Sequence, residues 1–174
     1  FLLRRRVVDL DPMLKVVRPK KQKTLPSFLR VQEMDRLLDE CSVNEGFEGV
    51  RDRMILEMFY ATGMRLSELI GLSDADVDLS AKLLKVTGKR NKQRLIPFGE
   101  ELWMDLLGYI KLRNETLPDR DDALFVRKDG KRMYPELVYK IVRRNLSKVA
   151  TLKKRSPHVL RHTFATAMLN GSAE

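Results

Sequence analysis

Leu83-Leu84-Lys85-Val86-Thr87-Gly88-Lys89-Arg90-Asn91-Lys92-Gln93-Arg94-Leu95-Ile96-Pro97 is the stretch that decides the fold class of this 174-residue chain. Leu83–Thr87 and Arg94–Pro97 are short aliphatic runs on either side of the turn Gly88–Lys92. With Asp76-Val77-Asp78 upstream they predict three short antiparallel strands. Everything around them has helical spacing. From about Leu29 to Cys41, the residues Val31, Met34, Leu37, Leu38 and Cys41 mark one apolar face. A second helix runs from about Gly49 to Thr62 and buries Ile55 and Phe59. Gly63 follows it where a left-handed C-terminal glycine belongs. A short helix covers Leu66 to Gly71. Beyond the hairpin, Glu100–Glu115 carries Leu102, Trp103, Leu106, Leu107 and Ile110 as an inward stripe. Ala123–Val126 is a short extended piece. Tyr134 to Ala150 is amphipathic, with Leu137, Val138, Ile141, Val142, Leu146 and Val149 inward and Lys140, Arg143, Arg144 and Lys148 outward. Ser156-Pro157 opens a last helix, since proline suits the first helical position. The expected fold is mainly α with a small three-stranded antiparallel sheet.

Composition narrows the function classes. Hydrophobic residues make up 43% of the chain, enough for one core. The single cysteine, Cys41, rules out an internal disulfide framework and any Cys-based zinc cluster, and fits a cytoplasmic protein. No apolar run reaches membrane-spanning length. Phe1-Leu2-Leu3-Arg4-Arg5-Arg6 has its charge after the apolar residues, the reverse of a signal peptide. The missing initiator methionine predicts that the chain starts inside a longer protein. The net charge of +10 is uneven: residues 1–23 carry eight basic and two acidic groups, 24–124 fourteen and nineteen, 125–174 twelve and three. Two positive ends around an acidic middle favour a polyanion partner, nucleic acid ahead of an acidic protein or a membrane surface.

Three groups of residues carry chemistry. In Ser156-Pro157-His158-Val159-Leu160-Arg161-His162-Thr163, His158 and Arg161 are three apart and leave one face near a helix N-terminus, a receptor for phosphate. In Ala61-Thr62-Gly63-Met64-Arg65-Leu66-Ser67-Glu68-Leu69, Arg65 follows a glycine break. Glu68 can reach back to orient its guanidinium, although alone the pair reads as an ordinary surface salt bridge. From Lys82 to Arg94 there are six basic residues and no acidic one. Lys89 at the turn can enter a DNA groove and protonate a leaving oxygen; equally, lysines at an exposed sheet edge guard against aggregation. Residues 11–27, with Arg18, Lys20, Lys21 and Lys23, read as a basic linker that is either a solvated tether or a strap along a phosphate backbone. Arg30 stands where a capping Ser or Thr is expected, at a cost of about 1 kcal/mol.

Together these boxes resemble the catalytic domain of the tyrosine recombinases (phage integrases), in particular the bacterial Xer-like members. The resemblance runs in the family's order over nearly the whole chain. It takes in Leu25-Pro26 with Glu33-Met34-Asp35-Arg36-Leu37-Leu38, then Thr62–Leu69, Gly88–Pro97 and the His158–Arg161 box. It implies that residues 28–174 form the catalytic domain and that residues 1–10 are the last helix of a preceding DNA-clamping domain. Arg65 and Arg161 then match the two arginines that clamp the scissile phosphate. Lys89 matches the lysine that protonates the leaving 5′ oxygen, His158 the histidine that manages protons, and Glu68 the supporting acid. Arg90, Lys92, Lys140 and Arg144 are expected to contact DNA on charge alone, and His162 to be structural. No metal or cofactor is implied, because two arginines and a histidine can meet the charge of the transition state.

The family's nucleophilic tyrosine, preceded by a further His or Trp, lies some tens of residues beyond the second arginine, and this sequence stops at Glu174. Tyr60, Tyr109, Tyr134 and Tyr139 are all upstream and are expected to pack. The chain is therefore expected to be inactive alone and a monomer in solution. The parent would act as a tetramer on double-stranded DNA in a bacterial cytoplasm, through a 3′-phosphotyrosine. The alternatives are a non-catalytic DNA-binding integrase relative and a type IB topoisomerase-like enzyme.

Overall fold

The computed structural model describes residues 3–10, 16, 28–42, 46–149 and 155–171. Among these, helices α1 (Val31–Ser42), α2 (Phe47–Thr62) and α3 (Leu66–Gly71) precede strands β1 (Val77–Asp78), β2 (Leu83–Thr87) and β3 (Gln93–Pro97). Helices α4 (Glu100–Thr116), α5 (Pro135–Val149) and α6 (Pro157–Gly171) follow. The linker over 11–27 lies outside the described residues, Val16 apart, as does Ala150. Residues 3–6 form a turn closed by Arg6 N–H to the Leu3 carbonyl at 3.0 Å, with Arg6 at φ 54°, so the expected helix over 1–10 is not seen there.

Helix α2 is the centre of the packing and touches α1, α3, α4, α5 and α6. Met54, Ile55, Leu56, Met58 and Phe59 are all buried and spread over about 200° of the helix, leaving a narrow exposed strip at Val50 and Ala61. A helix enclosed in this way carries no single apolar stripe. On its flank Phe47, Tyr109 and Phe125 stack with centroids 6.3 and 5.3 Å apart. Burial pushes the Tyr109 phenol well above its usual pKa, and its hydroxyl donates to the Leu124 carbonyl at 3.0 Å.

Two apolar residues do not face inward as expected. Leu107 is exposed because the inward stripe of α4 is Leu102, Leu106, Tyr109 and Arg113, and Leu107 lies about 100° off Leu106. Val31 is exposed at the edge of the α1 stripe, beside half-buried Leu38. Arg30 does not leave the α1 terminus uncapped: its N–H donates to Glu33 Oε2 at 2.9 Å, half of a capping box.

The sheet is antiparallel in the order β1-β2-β3, with Leu84 opposite Ile96 and Val86 opposite Arg94. Cross-strand partners share a face, so Arg94 issues from the same face as buried Leu84 and Val86. The tip is one tight turn over Lys89–Asn91, closed by Gly88 N–H to the Lys92 carbonyl at 2.8 Å. Arg90 and Asn91 both adopt left-handed backbone there, at φ 61° and 57°.

Gly63 caps α2 in the left-handed region at φ 58°, its N–H donating to the Phe59 carbonyl at 3.0 Å. A β-carbon at this position would lie 2.2 Å from the Phe164 ring of α6. Backbone strain and overlap therefore act together in Gly63→Ala. The substitution is expected to cost about 2–4 kcal/mol, read as a lower urea midpoint with an unchanged slope.

Candidate active site

The three sequence boxes converge where α2 ends. Gly63 turns the chain out of α2, and Arg65 follows in an extended conformation as the residue capping α3. From the other side α6 packs on α2, with Phe164 against the glycine, and Arg161 donates through Nη1 to the Gly63 carbonyl. The start of α6 is tied to the chain before α1 as well. Leu29 N–H donates to Thr163 Oγ1 at 2.9 Å, and Thr163 Oγ1 donates to the Val159 carbonyl at 2.9 Å. The first turn of α6 is closed by Val159 N–H to the Ser156 backbone carbonyl at 2.9 Å.

Arg65, His158 and Arg161 line one cavity of about 470 Å³, together with Met64, Leu66, Ser67, Pro135, Tyr139 and Pro157. The walls are largely apolar and, among the described residues, no carboxylate lines it. His158 is exposed at the mouth and Arg161 half-buried. Such a cavity offers converging cationic donors to an anion. Among the described residues no group of three or more His, Cys, Asp or Glu side chains is placed to hold a metal ion. No helix of the described residues is long and apolar enough to cross a membrane.

Glu68 lies behind Arg65, and its side chain is fully buried. Oε1 accepts from Arg65 Nη1 at 2.9 Å and Arg94 Nη1 at 2.6 Å. Oε2 accepts from the Arg65 N–H at 2.8 Å and Arg94 Nη2 at 3.0 Å. Burial alone would raise this carboxyl. The hydrogen bonds from Arg94 and Arg65 and the charge of Arg94 outweigh burial and bring it down to about 2. Gly88, at the hairpin, faces the same carboxylate: a β-carbon there would lie 3.1 Å from Glu68 Oε1.

The remaining expected residues are dispersed. Lys89, Arg90 and Lys92 are exposed at the hairpin tip and do not line the cavity. Lys140 and Arg144 border a separate groove with Glu48, Arg51 and Asp52, and Arg144 Nη2 binds Asp52 Oδ2 at 2.6 Å. His162 is exposed, not a packed structural residue. Tyr109 is buried and Tyr60 packs on the core, as expected, but Tyr134 and Tyr139 are exposed. Tyr139 faces the cavity because it is one turn along α5 from Pro135, which lines it too. Sequence reading counted Arg94 only as one of six hairpin cations. The available signal was strand alternation: Arg94 has the parity of Ile96, which turns it toward α3 although its side chain stays 41% exposed.

Residues 27–174 match the family described as "Phage integrase family". Tyrosine recombinase XerC of Chlorobaculum tepidum is 38% identical across the whole of this chain, which spans 58% of that protein. Tyrosine recombinase XerD of Oceanobacillus iheyensis is also 38% identical across the whole chain, which spans 59% of it. The chain thus covers a little over half the length of these curated relatives. Among solved structures, XerA recombinase superimposes with a TM-score of 0.76 at 31% identity, over 87% of this chain and 53% of that one. XerH site-specific recombinase bound to palindromic difH substrate, in a post-cleavage complex, gives 0.77 at 25% identity, over 92% of this chain and 48% of that one.

The depressed Glu68 carboxyl gives a stability prediction. A group whose pKa is lower folded than unfolded contributes fully above its unfolded value, and the contribution disappears as pH falls through the folded one. The stability difference between wild type and Glu68→Gln is expected to be flat above about pH 5. It should shrink by about 3 kcal/mol as pH falls from 4.5 to 2. Urea unfolding of both proteins across that window checks it.

Proposed function

Because this chain belongs to the phage integrase family, the tyrosine recombinases, we propose that it is the catalytic core of a site-specific recombinase that cleaves and rejoins double-stranded DNA. The observation that carries the reading is the cavity in which Arg65 and Arg161, 96 residues apart in the chain, meet with His158. Two forked guanidiniums suit the two non-bridging oxygens of a phosphodiester. The relatives and the XerH–DNA complex support the same substrate class.

In the proposed mechanism Arg65 and Arg161 hold the scissile phosphate and neutralise charge as the phosphorane forms. A tyrosine oxygen attacks phosphorus, and the bond to the 5′ oxygen breaks. That oxygen takes a proton from Lys89, carried in by the hairpin, while His158 handles the nucleophile's proton. The 3′-phosphotyrosine keeps the bond energy for rejoining, so neither metal nor cofactor is required. We assign the nucleophile to none of Tyr60, Tyr109, Tyr134 and Tyr139, but to a longer protein of the relatives' length, of which this chain would span a little over half. The longer protein works as a tetramer on DNA. Arg90, Lys92 and Lys140 contact the phosphate backbone, and Arg144 contributes least because it must first leave Asp52.

The test is a titration of duplex DNA against salt. Log affinity is expected to fall steeply with log salt, and Arg65→Ala with Arg161→Ala should reduce the slope by about 2, one counterion for each lost contact. An unchanged slope would remove the phosphate from this cavity. In the longer protein, Tyr139→Phe is expected to leave covalent attachment to DNA intact, read as a protein–DNA adduct on a denaturing gel. Loss of the adduct would move the nucleophile into this chain.

A further inference from the structure

Resting on that reading, we propose that Arg94 is a positioning residue for the recombination chemistry: it holds Glu68 through both oxygens and thereby fixes the Arg65 guanidinium toward the phosphate. Strand β3 brings Arg94 in on the inner face of the sheet, opposite buried Val86, and aims it at α3. There it meets a fully buried carboxylate in a two-pronged contact at 2.6 and 3.0 Å. Glu68 in turn grips Arg65 twice, at the backbone N–H and at Nη1.

The geometry divides the work between two guanidiniums. Arg65 commits one terminal nitrogen to Glu68 and is more than half exposed, leaving the rest of its donor fork for a ligand. A buried carboxylate with a single cationic partner would draw that partner in completely to satisfy both oxygens. Arg94 supplies the second partner, so Arg65 is oriented without being consumed. Lysine can substitute only in part, because a point charge does not bridge two oxygens in one plane. The carboxylate, the backbone at Gly88 and the root of β3 also lie together, so Arg94 fastens the hairpin base while its tip remains exposed.

The experiment uses the full gene product that contains this chain and a duplex it selects from random-sequence DNA, and follows the rate of covalent adduct formation. Arg94→Ala is expected to lower that rate about 10²-fold, the scale of a catalytic group misplaced by about 1 Å, with DNA affinity changed less than about threefold. Arg94→Lys should recover only part of the loss. In a Glu68→Gln background Arg94→Ala should add almost nothing, because both act through one carboxylate. A duplex with a sulfur in place of the 5′ bridging oxygen needs no acid at the leaving group. It should restore Lys89→Ala but not Arg94→Ala. Recovery of Arg94→Ala on that duplex would overturn the inference by placing its effect on Lys89. So would a normal rate in Arg94→Ala, or full additivity with Glu68→Gln. Urea midpoints are measured for each variant, and if Arg94→Ala does not fold, Arg94→Lys carries the same comparisons. No adduct from wild type on any duplex would instead overturn the recombinase reading itself.

Discussion

The hydrogen bond from Arg161 to the carbonyl of Gly63 joins the end of α2 to the start of α6, and the rest of the site depends on it. It forms only because the two helices lie close enough for Phe164 to sit where a β-carbon of residue 63 would be. Glycine does two jobs at this point. It lets the chain leave α2 through a left-handed turn, and it admits the ring that brings Arg161 alongside. Arg65, two residues further on, then emerges beside the second arginine instead of on an unrelated surface. A cationic receptor is thereby built from backbone geometry and one steric contact.

Behind the receptor lies a concentrated charge arrangement. Burying a carboxylate costs several kcal/mol unless its lone pairs are met, and at Glu68 four hydrogen bonds meet them. Two cations on one anion leave the cluster with a net positive charge, directed at the apolar-walled cavity where Arg161 and His158 also point. Positive charge therefore gathers at one cavity, within a chain whose residues 24–124 carry a net negative charge. The outlying cations serve a different purpose. Lys89, Arg90 and Lys92 are exposed on a tip whose backbone is left-handed at two non-glycine residues, while the base is fastened to α3. A hairpin fastened at its root and exposed at its tip keeps those cations accessible without involving the Glu68 cluster.

Most of the architecture was legible in the chain because local chemistry determines it. Helical spacing marked α1, α3, α4 and α5, the proline at 157 marked α6, and the aliphatic runs around Gly88–Lys92 marked the sheet. Gly63 was readable as a cap. Three of the misreadings share one origin. Val31 and Leu107 were assigned inward because they are apolar and near the stripe, yet how wide a stripe is covered depends on the neighbour, which spacing does not describe. Tyr139 was assigned to packing for the same reason, and α6 leaves its side of α5 open as a cavity wall.

By itself the sequence determined the element order, the three boxes and the residue types able to hold a phosphate, since periodicity, capping and charge are properties of neighbours along the chain. Only the tertiary structure decided which of those charges act together. It placed Arg65, His158 and Arg161 on one cavity, gave Arg94 to Glu68 and Arg144 to Asp52, and left Lys140 by a separate groove. The physical reason is that a charge's partner is chosen by distance and burial across the fold. Arg94 and Glu68 are 26 residues apart and Arg144 and Asp52 are 92 apart, separations at which no local pattern records the pairing.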